Sequence, residues 1–290
     1  MKSNIWVEEN LEDYVAFRFK VEKTLFSGVS DFQAVDIVET KGHGRMLLND
    51  GLVMLTERDE FIYHDMITHV PLFAHKNPKR VLVIGGGDGG TAREVLRHKS
   101  VEKCVMVEID KMVCDACKEF IPQTAKPMLE DDTRFELVID DGLKYVEQAC
   151  KSGEKFDVVL VDSTDPIGPA QPLFGHKFYE DIKGCLNDGG IIVSQGESPF
   201  YMQEMQNKLL SILSDTFKIV KLYNFHNMGY PGGLWSFTYA SDSVHPLDNF
   251  DEKRVIDSGI KFEYYNEEIH RSAFTQPNFI KNRIAPFIKG

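Results

Sequence analysis

The sequence predicts an α/β chain, with a Rossmann-like, methyltransferase-type sheet behind a small N-terminal antiparallel β domain. From Val81 onward, short β-rich runs alternate with helical stretches, the pattern of parallel strands joined by right-handed crossovers. The first of those runs leads into Gly85-Gly86-Gly87-Asp88-Gly89-Gly90 and then a helix, a strand, glycine turn and helix N-terminus in succession. Before about residue 58 the pattern differs, with apolar and polar residues alternating at the strand period. The domains are therefore drawn at 1–58 and 59–290.

Taken in order, Tyr14 to Phe26 and Phe32 to Glu39 alternate as half-buried strands, and Met46 to Leu55 contains Asn49-Asp50-Gly51, a hairpin signal. Glu57 to Phe73 reads as a helix, with Phe61, Ile62, Met66, Ile67 and Val70 near helical spacing, and Asn77-Pro78 closes it. Val81 to Ile84 is the first parallel strand, Thr91 to His98 its helix, Lys103 to Val107 the second strand and Arg134 to Ile139 the third. Phe156 to Val161 and Gly190 to Ser194 supply the fourth and fifth. Phe217 to Phe225 and Leu234 to Tyr239 close the sheet as an antiparallel pair, and Glu252 to Pro286 is helix-rich.

Acidic residues mark the strand ends. Asp88 sits in the glycine turn, Glu108 ends the second strand 18 residues past Gly90, Asp141 follows the third, and Asp162 ends the fourth. Any one of them fits a helix cap or a solvated surface; four at equivalent places predict an acidic ligand-binding rim. Gly85, Gly87 and Gly90 satisfy the dinucleotide spacing, but Asp88 argues against a pyrophosphate at that helix N-terminus. A nucleoside without phosphates fits better, with Glu108 on the ribose hydroxyls and Asp141 on an exocyclic adenine amine. Beyond Asp162 the chain reads S-T-D-P-I-G-P-A-Q-P-L-F-G, a long acidic, proline-rich connection that predicts a binding loop or lid over a cationic ligand.

These segments resemble the polyamine aminopropyltransferases, most closely the bacterial spermidine synthases. The resemblance runs through nearly the whole chain: Ser30 to Val35, Leu55 to Met66, Val81 to Glu94, Val107 to Asp110, Asp140 to Gly142, Val161 to Ala170, Gln195 to Ser198, Tyr230 to Gly233 and Tyr264 to Pro277. The pairing of G-G-G-D-G-G with D-S-T-D-P-I-G-P-A is its most specific part. It implies transfer of an aminopropyl group from decarboxylated S-adenosylmethionine to putrescine, giving spermidine and methylthioadenosine. The donor is then a co-substrate, and neither a further cofactor nor a metal is expected.

By the same resemblance Asp162 is the active-site acid, orienting and deprotonating the attacking amine. Gln33, Asp88, Glu108, Asp141, Gly142, Gln195 and Pro169 bind the donor. Tyr63, His64, Asp162, Asp165 and Tyr230 bind putrescine. Trp235 fits either core or wall; aromatic residues are more often core, and it is left out of the site. Gly232-Gly233 departs from the serine and glycine of eukaryotic relatives, so acceptor length is less constrained than donor identity. Three rivals follow: a putrescine methyltransferase on this fold, a homologue preferring cadaverine, agmatine or spermidine, and a polyamine-binding protein without catalysis.

Composition agrees with this reading. The chain has 290 residues, 42% hydrophobic and 27% charged, with a formal net charge of −12. That acidity disfavours nucleic acid and suits cationic substrates. No apolar run approaches the roughly 18 residues of a membrane span, and the first ten residues lack a signal-peptide core, so a cytoplasmic protein without a membrane partner is expected. The five cysteines form no paired framework, and Cys114 with Cys117 is a lone C-x-x-C in a helical pattern, so zinc and disulfides are not expected. The resemblance adds a homodimer or homotetramer.

Overall fold

A computed structural model describes residues 5–11, 15–163 and 175–290. Five strands, β1 (Ile5–Leu11), β2 (Val15–Val29), β3 (Ala34–Thr40), β4 (Gly44–Asn49) and β5 (Leu52–Thr56), form an antiparallel meander in chain order. The β4–β5 turn is the Asp50-Gly51 pair, with φ of 50° and 82°, the double left-handed conformation a two-residue hairpin needs. Two features differ from the sequence reading. β1 was not anticipated, because Ile5-Trp6-Val7-Glu8-Glu9-Asn10-Leu11 gives too short a run for a clean alternation, and its pairing with β2 decides its state. β2 continues to Val29, with register shifts near Val21 and Thr24 that interrupt the alternation.

A seven-stranded sheet follows in the order β11-β12-β10-β9-β6-β7-β8. Its parallel strands are β6 (Arg80–Gly85), β7 (Lys103–Glu108), β8 (Phe135–Ile139), β9 (Phe156–Asp162) and β10 (Leu186–Gln195). β12 (Leu234–Ser241) runs antiparallel to both β10 and β11 (Ile219–His226), which gives the methyltransferase-type ending. The strand order reverses between β6 and β9, whose ends are paired at Gly85 and Asp162. Ligands of open α/β sheets bind in the crevice at such a switch point.

Two apolar layers cover the two faces of this sheet, one built around α1 (Glu60–Ala74) and the other around residues such as Val146, Tyr179, Ile182 and Leu210. α1 begins three residues later than its pattern suggests, since Glu57 to Asp59 form a turn in which Asp59 accepts from Gly229 N–H. Every residue of α1 except Phe61 is buried. A helix enclosed on all sides must satisfy its own polar side chains internally, and α1 carries Glu60, His64, Asp65 and His69. The small sheet docks through Val35, Ile37, Leu47 and Leu55 onto Val113, Ala116 and Cys117 of α3 (Lys111–Phe120). The C-terminal helices α8 (Glu252–Asp257), α9 (Glu267–Ala273) and α10 (Asn278–Ile284) lie beyond the sheet, and Lys289 bridges to Val220 of β11.

Candidate active site

The crevice at the switch point is walled by the carboxyl ends of β6, β7, β9 and β10, by the first turns of α1 and α5 (Gly142–Ser152), and by β4 and β5 of the small sheet. Its floor is the glycine turn. Gly85 has φ of 81°, and a Cβ there would lie 2.2 Å from the Asp162 carbonyl oxygen, so only glycine lets β6 and β9 close against each other. Gly86 N–H donates to that same carbonyl at 2.8 Å and fixes the end of β9.

Asp162 is half-buried beneath this turn. Its Oδ1 accepts from the Tyr63 hydroxyl at 2.6 Å and its Oδ2 from the Thr91 hydroxyl at 2.6 Å. Burial, and then the charge of Asp88, raise its carboxyl above the ordinary range, while His64, Thr91 and Tyr63 pull the other way. The Tyr63 hydroxyl is in turn pushed well up, by burial first and by Asp162 second, so it donates rather than ionises.

Asp88 accepts on one oxygen, Oδ1, from Gly90 N–H at 2.8 Å and from His64 Nε2 at 3.3 Å. His64 Nδ1 meets Glu60 at 2.5 Å, and Glu60 takes the Arg93 guanidinium fork at 2.8 and 2.9 Å. Burial works against a charged imidazole, but Asp88 and Glu60 outweigh it and raise His64 to about 10. For Glu60 burial is likewise opposed, and His64 with Arg93 brings it down to about 2. His64, Asp88 and Asp162 lie close enough to bracket a metal ion.

The other anticipated residues border the same crevice. Glu108 ends β7 and accepts from Asp110 N–H at 2.8 Å; burial, with the nearby charges of Asp110 and Asp162, raises it to about 7. Asp141 caps α5 by accepting from Leu143 N–H at 2.9 Å, so the capping role and a place on the rim coexist. Gly142 lies against Ile84, where a Cβ would be 2.7 Å from the side chain. Gln33 reaches across from the small sheet and donates to Asp110 at 3.0 Å, and Gln195, at the end of β10, donates to Glu197 at 3.1 Å. Tyr230 donates to the Met54 carbonyl at 2.7 Å, and its ring stands edge-on to Tyr63 at 5.9 Å.

Asp165 and Pro169, with the loop they belong to, lie outside the described residues. Tyr63 and His64 both border the crevice although they are consecutive on α1, because the helix end points into it. Trp235 is not only core: it is 6% exposed, stacks obliquely on Tyr230 at 4.8 Å and forms part of the crevice wall. Its strand alternation gives no hint of that. Thr91, Glu60 and Arg93 were also not anticipated. Glu60 stands four residues before His64, the spacing of facing helical neighbours, and that was the available signal.

A spermine/spermidine synthase domain model matches residues 60–252, and a spermidine synthase tetramerisation domain model matches residues 5–57. A polyamine aminopropyltransferase of Clostridium perfringens is 44% identical over 282 residues, covering 97% of this chain and 98% of its own. One from Methanocaldococcus jannaschii is 43% identical over 287 residues, covering 98% and 96%. Among solved structures, a spermidine synthase in complex with the transition state analogue AdoDATO superposes with a TM-score of 0.94 at 39% identity, covering 98% of this chain and 96% of that one. The spermidine synthase of Thermotoga maritima gives 0.93 at the same identity and coverage.

Proposed function

The chain belongs to the polyamine aminopropyltransferases, transferases of polyamine biosynthesis, and from that premise we propose that it is a spermidine synthase acting on putrescine and decarboxylated S-adenosylmethionine. The observation that carries the reading is Asp162: a carboxylate at the switch point, made more basic by burial and by Asp88, beside an acidic crevice.

An alkylammonium must lose a proton before it can attack. With an amine pKa near ~10.4, that costs on the order of 4 to 5 kcal/mol at pH 7, so an adjacent acceptor is needed. In the proposed reaction the neutral amine nitrogen of putrescine attacks the propyl carbon next to the sulfonium. The new N–C bond takes the nitrogen lone pair, the C–S bond breaks with its electrons to sulfur, and neutral methylthioadenosine leaves. The proton goes to Asp162. Tyr63 and Thr91, one on each carboxylate oxygen, fix its orientation. The thioether needs no general acid, consistent with a site rich in carboxylates.

Donor binding falls to Gln33, Asp88, Glu108, Asp141, Gly142, Gln195 and Pro169, with Asp88 facing the donor's propylammonium. Tyr63, His64 and Tyr230 line the putrescine slot, and Asp165 is assigned to the putrescine amine. No metal and no cofactor beyond the donor enters the mechanism. The match over residues 5–57 supports a homo-oligomer, a dimer or tetramer. We place the reaction in the cytoplasm, where all five cysteines, free thiols here, stay reduced. Among the described residues, no helix is long and apolar enough to cross a membrane.

Incubation of the pure protein with either S-adenosylmethionine or its decarboxylated form, across putrescine, cadaverine, agmatine and spermidine, tests this directly. Spermidine and methylthioadenosine from the decarboxylated donor and putrescine are expected as the fastest products. Methyl transfer, or faster turnover of another amine, would replace the assignment.

A further inference from the structure

Behind the crevice stands a chain of four charged groups. The Arg93 fork holds both oxygens of Glu60 at 2.8 and 2.9 Å, Glu60 holds His64 Nδ1 at 2.5 Å, and His64 Nε2 reaches Asp88 at 3.3 Å. Arg93 and His64 are also held independently. Arg93 donates to Glu94 at 2.9 Å and to the Gln123 carbonyl at 3.2 Å. The imidazole lies over Gly90, where a Cβ would come within 2.2 to 2.5 Å of the ring, so the ring occupies the volume of the missing side chain. Glu60 and His64 are 7% and 3% exposed, so water contributes little to their charge balance.

We propose that Glu60 and Arg93 are positioning residues that act through His64: the fork locks Glu60, Glu60 locks the imidazole as a two-sided proton donor, and the imidazolium aims and partly neutralises Asp88. The inference deepens the proposed transfer reaction, since Asp88 is the carboxylate assigned there to the donor's ammonium.

The arrangement answers a problem inherent in the site. Two carboxylates that share a crevice disfavour each other's ionisation, and here Asp88 adds to burial in raising the Asp162 carboxyl above its ordinary range. A cation against Asp88 at the crevice wall relieves that repulsion, and His64 lowers the Asp162 carboxyl accordingly. An imidazole buried beside Asp88 alone would pay the full cost of burial for its charge; Glu60 on the other nitrogen offsets it, and Arg93 keeps Glu60 from being drawn away or protonated. The groups facing His64 are Glu60 and Tyr63 from α1, Asp88 from the glycine turn, Asp162 from β9 and, through Glu60, Arg93 from α2 (Gly90–Leu96).

The test is a nitrogen-15 NMR titration of the histidines in the ligand-free full-length protein, with His64→Gln used only to assign the signal. Wild-type His64 should stay an imidazolium through pH 8.5 or beyond, about two units above the ordinary ~6.5. Glu60→Gln should lower its midpoint by at least one unit, and Glu60→Asp, which keeps the charge but withdraws the carboxylate, by less. A wild-type midpoint near 6.5 overturns the proposal without any variant, and so does a Glu60→Gln midpoint within 0.3 unit of wild type.

In turnover, Glu60→Gln should raise KM for the decarboxylated donor at least fivefold and lower kcat less than threefold at saturation. Equal effects on both, or on kcat alone, would contradict a role through Asp88. If wild-type protein transfers no aminopropyl group at all, the proposed function fails, while the NMR titration still decides the positioning chain.

Discussion

Helix α1 places two acid–histidine clusters five residues apart, and their chemistry diverges although their residue types match. His64 with Asp88 and Asp162 borders the crevice; His69 with Asp65 and Glu94 is sealed in protein. His69 Nε2 lies 3.1 Å from Glu94 and 3.4 Å from Asp65, and its Nδ1 is 2.9 Å from His98. The second oxygen of Asp65 accepts the backbone N–H groups of Glu263, Tyr264 and Tyr265 at 3.2, 2.9 and 3.1 Å. Phe262 stands edge-on to His69 at 4.7 Å and closes that side. Burial disfavours charge on both His69 and His98, but the flanking carboxylates raise His69, while burial and the charge of His69 hold His98 well down. The closed cluster thus ties the C-terminal segment to α1, whereas the open one borders the crevice. A histidine and two carboxylates therefore say little about function until access is known.

Loss of Asp65 should be the most costly change for the fold. Asp65→Ala strands three backbone N–H groups and removes a partner of the buried His69 imidazole, and urea unfolding should register a loss of about 3 to 5 kcal/mol. Turnover per folded molecule should stay near wild type. A cost below 1 kcal/mol would mean that the aromatic packing, not the cluster, holds the segment.

In the open cluster the expected effect is smaller and lies in binding. The wild-type protein should bind decarboxylated S-adenosylmethionine at least tenfold tighter than S-adenosylmethionine, about 1.4 kcal/mol, because Asp88 repels the extra carboxylate. Asp88→Asn should narrow the gap. Calorimetry that finds equal affinities for the unaltered protein would remove the case against a methyltransferase.

Alkaline pH separates the clusters from ordinary surface charge. The folded value of His64, about 10, lies above its ordinary 6.5, so its contribution to stability is full below pH 6.5 and is lost as pH rises through about 10. His69 is shifted in the same direction. Glu60, at about 2 against an ordinary 4.5, contributes above pH 4.5 and loses that contribution as pH falls towards 2. The urea midpoint should accordingly decline from pH 7 to pH 10; a flat profile would show that the imidazoles are neutral in the fold.

The smallest effect is expected at the crevice wall. Trp235→Phe keeps the aromatic surface and removes a buried Nε1 that has no hydrogen-bond partner among the described residues, so KM for putrescine should change by no more than about threefold. A larger change would make the indole nitrogen a direct contact of the acceptor.

Much of the fold and of the crevice rim was legible before any coordinates, but this contrast was not. The strand ends at Glu108 and Asp162, the glycine turn and the Asn49-Asp50-Gly51 hairpin are local signals, and the parallel sheet follows from strand–helix alternation, whereas the order of its strands does not. What could not be read depends on packing between distant segments. His64 and His69 look alike in the sequence of α1, and only the positions of Asp88 and Tyr265 distinguish an open site from a closed one. Trp235 falls in a strand whose residues are nearly all buried, so alternation could not separate wall from core. β1 needed its partner strand to exist at all.

The central claim is that Asp162 accepts the proton of the attacking amine, and the most direct measurement is turnover of Asp162→Asn against wild type from pH 7 to pH 10 with saturating substrates. The substitution keeps the shape of the side chain and removes the acceptor, so turnover at pH 7 should fall by roughly 10² or more. The gap should shrink as pH approaches the ordinary ~10.4 of an alkylamine, because more of the amine is then already neutral. Turnover of Asp162→Asn within a few-fold of wild type at pH 7, or a gap that does not change with pH, would contradict the claim.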